Sequence, residues 1–123
     1  MIQLDTNVLI GLLTGHPVGA QVRALQAEGT SFACSAIVWS EFLNGPADED
    51  SVRLMDAFLK RQILSFERED AALAARLFNV TGRKRGLRFD SMVAATALRR
   101  DETLLTLNRD DFEPFVKAGL KLA

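Results

Sequence analysis

The chain has 123 residues, of which 48% are hydrophobic and 25% charged, and its net charge is -1. This balance fits one globular domain with its own core and excludes a disordered or strongly basic chain. The single Cys34 cannot form an internal disulfide, and no signal-peptide pattern follows Met1. We therefore expect a cytoplasmic protein that does not enter a membrane.

The first half of the chain alternates short apolar runs with helical periodicity. Val18, Val22 and Leu25 have the i, i+4, i+7 spacing of a helix face, and Gly29 ends that helix. Ser35 is a suitable N-cap for the helix that follows it. This half predicts strands at 2–4 and 32–34, and helices at 6–13, from Val18 to Gly29 and at about 36–44.

The second half continues the same alternation. Val52, Met55 and Phe58 lie on one face of a predicted helix, and a glycine-bracketed break separates the next two helices. The helix after this break is rich in alanine, which favours close packing against a sheet. This half predicts strands at 63–66, 103–107 and 120–122, and helices at about 52–59, from just after Asp70 to Val80 and at 91–100.

The connections between the strands determine the predicted fold class. Successive strands are separated by helices, not by hairpin turns, and this order is typical of a parallel sheet. We therefore predict an α/β protein in which helices flank a central, mainly parallel sheet of four to five strands. No linker or repeat divides the chain, so residues 1–123 form a single domain.

Three acidic residues follow apolar segments at comparable places in the chain. Asp5 ends the first strand, Glu41 lies in the helix after the second strand, and Asp90 precedes the alanine-rich helix. Each has an ordinary explanation, because Asp5 and Asp90 could be N-caps and Glu41 could lie on a solvated helix face. Their joint placement favours function, since strand-to-helix junctions of a parallel sheet meet at one edge.

A fourth polar segment, residues 106–112, follows the strand at 103–107 and so lies at the same edge. Asn108 offers a carbonyl oxygen to a cation, and Asp110 or Asp111 could supply a charge. The alternative is a polar turn that is capped by an aspartate and closed by Phe112. For Asp111 we favour the turn.

Clustered carboxylates without a cysteine pair or a glycine-rich loop indicate a hard cation, Mg²⁺ or Mn²⁺. Such a cation between carboxylates activates water and stabilises a leaving oxygen, which suits hydrolysis of a phosphodiester. Asp5 and Asp90 are the predicted metal ligands, directly or through water. Glu41 could position or deprotonate the attacking water, or help to hold a second ion. The sequence leaves the number of ions open.

With these residues in view, the chain resembles the PIN-domain ribonucleases, and most of all the VapC-type toxins of bacterial toxin–antitoxin pairs. The resemblance covers essentially the whole chain and rests on four segments that occur in the family's order and rough spacing. The segments are Leu4–Ile10, Ser40–Gly45, Phe89–Leu98 and Leu105–Phe112.

The resemblance assigns the family's first three acids to Asp5, Glu41 and Asp90, and the fourth position to the stretch from Asn108 to Asp110. It implies a Rossmann-like three-layer fold, Mg²⁺-dependent RNA cleavage, homodimers and inhibition by a small antitoxin. It also implies that hydroxyl groups of two threonines support the pocket. The threonines concerned are Thr6 and Thr106.

Alternatives to a ribonuclease remain open, among them a DNA nuclease of the PIN type, although the chain has no insertion that could form a duplex-binding clamp. The chain could be a catalytically weak RNA-binding or regulatory module of the same fold, although the intact set of acids argues against this. A phosphatase or phospho-receiver would need a second aspartate two residues after Asp5 or a lysine after the strand at 103–107. The sequence has Asn7 and Asn108 at these places.

Two further features have both structural and functional interpretations. Arg83, Lys84, Arg85 and Arg88 form a basic run before Asp90 that is either a solvated helix end or a contact for the RNA backbone. We weigh these two interpretations equally. A set of large apolar side chains is either core or a groove for an antitoxin or dimer partner, with core preferred. The set comprises Trp39, Phe42, Met55 and Phe58.

Overall fold

The structure is a computed structural model that describes residues 1–123. Its centre is a five-stranded sheet with the strand order β3-β2-β1-β4-β5. Every neighbouring pair is parallel, which confirms the predicted α/β class and the mainly parallel sheet. The strands are β1 (Ile2–Leu4), β2 (Phe32–Ser35), β3 (Ile63–Leu64), β4 (Thr103–Leu105) and β5 (Lys121–Leu122).

Helices connect the strands and flank the sheet. The most extensive helix–helix contact is between α5 and α6, and α1 packs against α2 and α3. A short 3-10 turn at Arg85–Leu87 lies between α5 and α6. The helices are α1 (Thr6–Thr14), α2 (Val18–Ala27), α3 (Ala36–Leu43), α4 (Glu49–Phe58), α5 (Arg68–Val80), α6 (Arg88–Arg99) and α7 (Arg109–Val116).

The core lies around the central strands and α6. Leu4 and Leu104 on the two middle strands are fully buried, as expected for parallel strands that are covered on both faces. Ala94, Ala95 and Ala97 on α6 are also fully buried. Their small side chains let this helix approach the sheet closely, and they account for the alanine-rich pattern of the segment.

Helices α5 and α6 begin earlier than the sequence predicted, each for a local reason. Helix α6 begins at Arg88 because the 3-10 turn leads directly into it, so Asp90 lies in the first turn and Leu87 is the N-cap. The N-cap explanation of Asp90 is therefore wrong. Helix α5 begins at Arg68, and Asp70 closes a capping box with Glu67 instead of preceding the helix.

The segment after β4 differs most from the prediction. Residues predicted as the end of a strand and a polar turn form a short exit from β4, which ends at Leu105, followed by helix α7. Phe112 and Phe115 are fully buried, with their rings 5.8 Å apart in an edge-on arrangement. Burial of this pair offsets the backbone hydrogen bond that Pro114 cannot donate within the helix.

The large apolar residues separate into core and surface. Phe42 and Met55 are buried, so the preferred core interpretation holds for them. Other apolar side chains are exposed instead, on α1, on α3 and on α4. These are Ile10, Leu13, Leu43 and Leu54, which together we call the α1–α4 apolar patch.

Two remaining expectations concern the thiol and the membrane. Cys34 lies buried in β2, and burial followed by the charge of Asp56 raises the pKa of its thiol to about 12. The thiol is therefore uncharged and inert at neutral pH. None of the helices combines the length and apolar character that crossing a bilayer requires.

Candidate functional site

Asp5 lies where β1 ends and α1 begins. Its Oδ1 accepts a 2.8 Å hydrogen bond from the Thr6 amide, so Asp5 is the N-cap of α1. Its Oδ2 accepts hydrogen bonds from the Thr106 hydroxyl at 2.7 Å and from Nδ2 of Asn7 at 3.3 Å. Capping uses only one oxygen of Asp5, so the structural role leaves the second oxygen at the carboxyl edge of the sheet.

Asn7 and Thr106 tie the exit of β4 to the start of α1. Oδ1 of Asn7 accepts a 3.0 Å hydrogen bond from the Leu107 amide. The Thr106 hydroxyl, which donates to Asp5, accepts a 3.0 Å hydrogen bond from the Asn108 amide. Asn7 is not among the site residues predicted from the sequence. The feature that points to it is its position two residues after Asp5, at the start of α1.

Glu41 projects from α3 toward the start of α1. Its Oε1 accepts a 3.1 Å hydrogen bond from the Thr6 hydroxyl, and its side chain is half-buried. Burial raises the pKa of Glu41, the Thr6 hydrogen bond opposes the rise, and the charge of Asp5 adds to it. Glu41 is therefore not a solvated face residue, because it is hydrogen-bonded to the element that presents Asp5.

Asp90 has the most perturbed carboxyl group of the chain. Its pKa is raised to about 7, first by burial and then by the charges of Asp5, Asp111 and Glu41, in that order. No hydrogen bond contributes in the opposite direction. Three helices, α1, α3 and α6, thus bring the predicted acids into one electrostatic cluster.

Burial also raises the pKa of Asp5 itself. Hydrogen bonds from Thr106, from the Thr6 amide and from Asn7 lower it, and the charge of Asp111 raises it further. The balance keeps Asp5 the better anchored of the two predicted metal ligands. Asp90, by contrast, has no hydrogen-bond donors that could hold its charge.

The fourth charge near the cluster comes from Asp111. Both Asp110 and Asp111 are exposed, but only Asp111 raises the pKa of Asp5 and of Asp90. Asn108 is the N-cap residue of α7, and its amide is bound to Thr106. The sequence pattern favours a polar turn at Asp111, whereas the structure places Asp111 in the first turn of α7, directly before the buried Phe112.

The donor chemistry of this cluster fits a hard divalent cation. The groups are carboxylates, and burial together with their mutual repulsion raises the pKa of Asp90 to about 7, so a bound cation would favour its charged form. No group of three or more His, Cys, Asp or Glu side chains could hold a metal ion directly as the side chains stand. A bound Mg²⁺ would therefore need bridging waters or small side-chain rotations, and Mg²⁺ usually keeps several waters.

Comparison with protein families gives a match over nearly the whole chain. The model of the PIN domain matches residues 2–117, which include Asp5, Glu41, Asp90 and Asp111. No curated protein matches the chain by sequence.

Comparison with solved structures gives matches of similar strength to several bacterial complexes. A chain in VapBC2 from Rickettsia felis, bound to a DNA fragment from its promoter, has a TM-score of 0.73 and 25% identity, covering 100% of this chain and 98% of that chain. A chain in a toxin–antitoxin complex from Klebsiella pneumoniae has a TM-score of 0.74 and 27% identity, covering 92% and 91%. A chain in FitAcB from Neisseria gonorrhoeae has a TM-score of 0.73 and 25% identity, covering 99% and 96%.

Proposed function

The chain belongs to the PIN domain family, and we propose that it is a divalent-cation-dependent endoribonuclease that acts as the toxin of a toxin–antitoxin pair. One observation carries the proposal. Asp5, Glu41 and Asp90 come from three separate places in the chain, yet their charges interact. The charge of Asp5 raises the pKa of Glu41, and the charges of Asp5 and Glu41 raise the pKa of Asp90. Such coupling of half-buried acids at a sheet edge is typical of a functional site.

Asp5 and Asp90 are the proposed ligands of Mg²⁺, with Mn²⁺ as a substitute, directly or through water. Asp111 supplies a further negative charge beside them. When bound there, a divalent cation would polarise the phosphodiester and stabilise the leaving oxygen. The Thr106 and Asn7 hydrogen bonds keep Oδ2 of Asp5 in one orientation, which preorganises the first ligand.

Glu41 is the proposed acceptor of a proton from the attacking water. Its raised pKa brings it closer to neutral pH, where proton acceptance is more effective. The Thr6 hydroxyl donates to Oε1 of Glu41, so Oε2 is the oxygen left for water. The two roles, holding the cation and accepting the proton, thus fall on different elements of one acidic cluster.

The proposed protein partner is a small antitoxin, and the proposed oligomer is a homodimer. The structural relatives from Rickettsia felis and Klebsiella pneumoniae are, by their descriptions, toxin–antitoxin assemblies. In this chain the α1–α4 apolar patch includes Ile10 and Leu13 on α1, which begins after Asp5, and Leu43 on α3, which carries Glu41. A partner that covers this patch would bury apolar surface next to the acidic pocket.

Cleavage of RNA in the presence of a cation tests the proposal. Structured and unstructured RNAs, with DNA of the same sequences, are incubated with Mg²⁺, Mn²⁺ or EDTA. The site variant is Asp5→Asn, which keeps a good N-cap for α1 but removes the charge. The matched control is Asp101→Asn. The Asp101 side chain is 92% exposed, and it precedes β4, at the opposite edge of the parallel sheet from Asp5.

We expect cation-dependent cleavage of RNA by the wild type and by the control, and none by Asp5→Asn. RNA binding without any cleavage, by folded protein free of antitoxin, would favour the catalytically weak binding module instead. Cleavage that persists in EDTA or in Asp5→Asn would contradict the proposed site.

A further inference from the structure

The connection from α5 to α6 and the first two residues of α6 place four cations and one aromatic ring on the surface directly before Asp90. Arg83, Lys84, Arg85 and Arg88 are exposed, and the Phe89 side chain is 56% exposed. We propose that this segment, residues 83–89, binds single-stranded nucleic acid beside the acidic cluster, with the cations on phosphates and the Phe89 ring on a base. The inference rests on the proposed nuclease function and adds the surface that holds its substrate.

The cations of this segment have no carboxylate partner. None of the four forms an ion pair, whereas other basic side chains of the chain do. Arg99 and Arg100, for example, bind the buried Asp70 and so are occupied structurally. The free charges of residues 83–88 therefore remain available for an external anion.

Arg88 is held in place without losing its charge. Its guanidinium carbon lies 5.5 Å from the centre of the Phe78 ring, a cation–π contact that fixes the side chain but leaves its N–H donors unpaired. A guanidinium that is positioned on an aromatic ring loses less conformational entropy when it binds a phosphate. Arg88 is thus the preorganised phosphate contact, whereas Arg83 and Arg85 have no such aromatic support.

Phe89 is an unusual residue to expose at this point. It occupies the second position of α6, between Arg88 and Asp90, and its neighbours in sequence are charged. An exposed ring beside cations provides the two contacts by which proteins bind unpaired strands, stacking on bases and attraction to phosphates. In a duplex the faces of the bases are already stacked, so this arrangement favours a single strand.

The overall charge makes a local basic segment necessary for binding a polyanion. The chain has a net charge of -1, and the carboxylates near Asp90 repel phosphate groups. Four positive charges within six residues, with no acid among them, reverse the local potential next to the pocket. A strand held on residues 83–89 would therefore reach Asp90 despite the repulsion.

Fluorescence anisotropy of a labelled oligonucleotide tests the inference in EDTA, which prevents cleavage. The probe is a single-stranded RNA of mixed sequence and about twelve nucleotides, with the same sequence as DNA and as a duplex. The variants are Phe89→Ala, Phe89→Leu and Phe89→Trp, and a triple Arg83→Gln, Lys84→Gln, Arg85→Gln variant. Arg53→Gln, an exposed cation on α4, is the matched control.

We expect Phe89→Ala and Phe89→Leu to weaken binding of the single strand by about tenfold and Phe89→Trp to restore it, because stacking requires a ring. The triple variant is expected to lower the slope of log K against log salt by about 2, in line with about 0.7 per phosphate contact. Arg53→Gln and the wild type are expected to behave alike. Single-stranded RNA and DNA bind comparably if phosphate and base faces are what is recognised.

Several results would overturn the inference. They are wild-type affinity in Phe89→Leu, an unchanged salt slope in the triple variant, equal binding of the duplex, or no binding by the wild type. A change of oligomeric mass in Phe89→Ala, measured by light scattering, would assign the ring to a protein interface instead. Parallel cleavage assays with Mg²⁺ separate the two proposals. Cleavage that these variants leave unaffected would contradict the binding surface and leave the proposed nuclease function standing.

Discussion

The hydroxyl group of Thr106 donates a 2.7 Å hydrogen bond to Oδ2 of Asp5, a residue that lies 101 positions earlier in the chain. The contact joins the ends of β1 and β4, which are paired in parallel register from Ile2 with Thr103 to Leu4 with Leu105. Sheet pairing therefore positions the hydroxyl, and the hydroxyl orients the carboxylate. The site depends on a long-range backbone register as well as on the acids themselves.

Replacing Thr106 with valine removes this hydrogen bond without changing the side-chain shape. We expect Thr106→Val to raise the pKa of Asp5 further and to destabilise the protein by about 1–3 kcal/mol, because a buried acceptor and the Asn108 amide lose their partner. RNA cleavage and Mg²⁺ affinity should fall, and Thr106→Ser should retain both. Urea unfolding and a Mg²⁺ titration of the cleavage rate measure the two effects, and wild-type behaviour of Thr106→Val would show that the contact is dispensable.

Removing the charge of Asp90 should stabilise the metal-free protein at neutral pH. The folded-state pKa of Asp90 is about 7, well above its unfolded value. Between about pH 4 and pH 7, Asp90 is therefore protonated in the folded state and ionised in the unfolded state. The free energy of unfolding falls as the pH rises through this window. Asp90→Asn should avoid that loss, so its free energy of unfolding at neutral pH should exceed that of the wild type by about 1–2 kcal/mol, a value reduced for screening by solvent.

Urea unfolding in EDTA at pH 5 and pH 8 measures this difference. The variant and the wild type should differ more at pH 8 than at pH 5, and Mg²⁺ should stabilise only the wild type. An Asp90→Asn variant that is less stable than the wild type at pH 8 would show that Asp90 serves the fold.

The charge of Asp111, not that of Asp110, should matter for the cluster. Asp111→Asn removes one source of the raised pKa values of Asp5 and Asp90, so the pKa of Asp90 should fall. We expect this variant to weaken Mg²⁺ binding and RNA cleavage, while Asp110→Asn should act as a matched control on the same helix. Cleavage rates that are reduced in Asp110→Asn and unchanged in Asp111→Asn would instead support Asp110, the residue assigned from the sequence.

Asp70 predicts a separate effect on stability at acid pH. Burial would raise its pKa, but hydrogen bonds from Arg100, Arg99 and the Glu67 amide lower it to about 2. Its contribution is therefore fully present above about pH 4 and is lost as the pH falls through 2. Asp70→Asn should cost about 2 kcal/mol at pH 7, with RNA cleavage unchanged when the protein is folded.

Thermal unfolding between pH 2 and pH 7 checks the Asp70 prediction. The difference between variant and wild type should shrink as the pH approaches 2. A difference that is constant over this range would show that the ion cluster contributes through packing and not through its charge.

The sequence predicted the strand-to-helix junctions well where local signals were strong. Asp5 and Ser35 follow apolar strands and cap the next helix, so the β1–α1 and β2–α3 junctions could be placed within one residue. The parallel sheet followed from these junctions, and with it the shared edge of Asp5 and Glu41. Local capping chemistry and strand-helix alternation carry this information because both act over a few residues.

The position of Asp111 could not be predicted in the same way. It depends on helix α7, whose helical state owes more to burial of Phe112 and Phe115 against the rest of the fold than to local propensity, because Pro114 opposes it. The start of α6 was also missed, since a 3-10 turn at Arg85–Leu87 has no distinctive residue pattern. Tertiary packing, not sequence pattern, decides both places.

The most direct test of the central claim is the single-turnover cleavage of one RNA, with analysis of the product ends. Hydrolysis by water at the Asp5–Glu41–Asp90 cluster should need Mg²⁺ or Mn²⁺, should leave a phosphate monoester and should vanish in Asp5→Asn while persisting in Asp101→Asn. Products that end in a cyclic phosphate, or that form equally in EDTA, would mean that the ribose hydroxyl is the attacking group. That result would contradict a metal-dependent nuclease at this cluster.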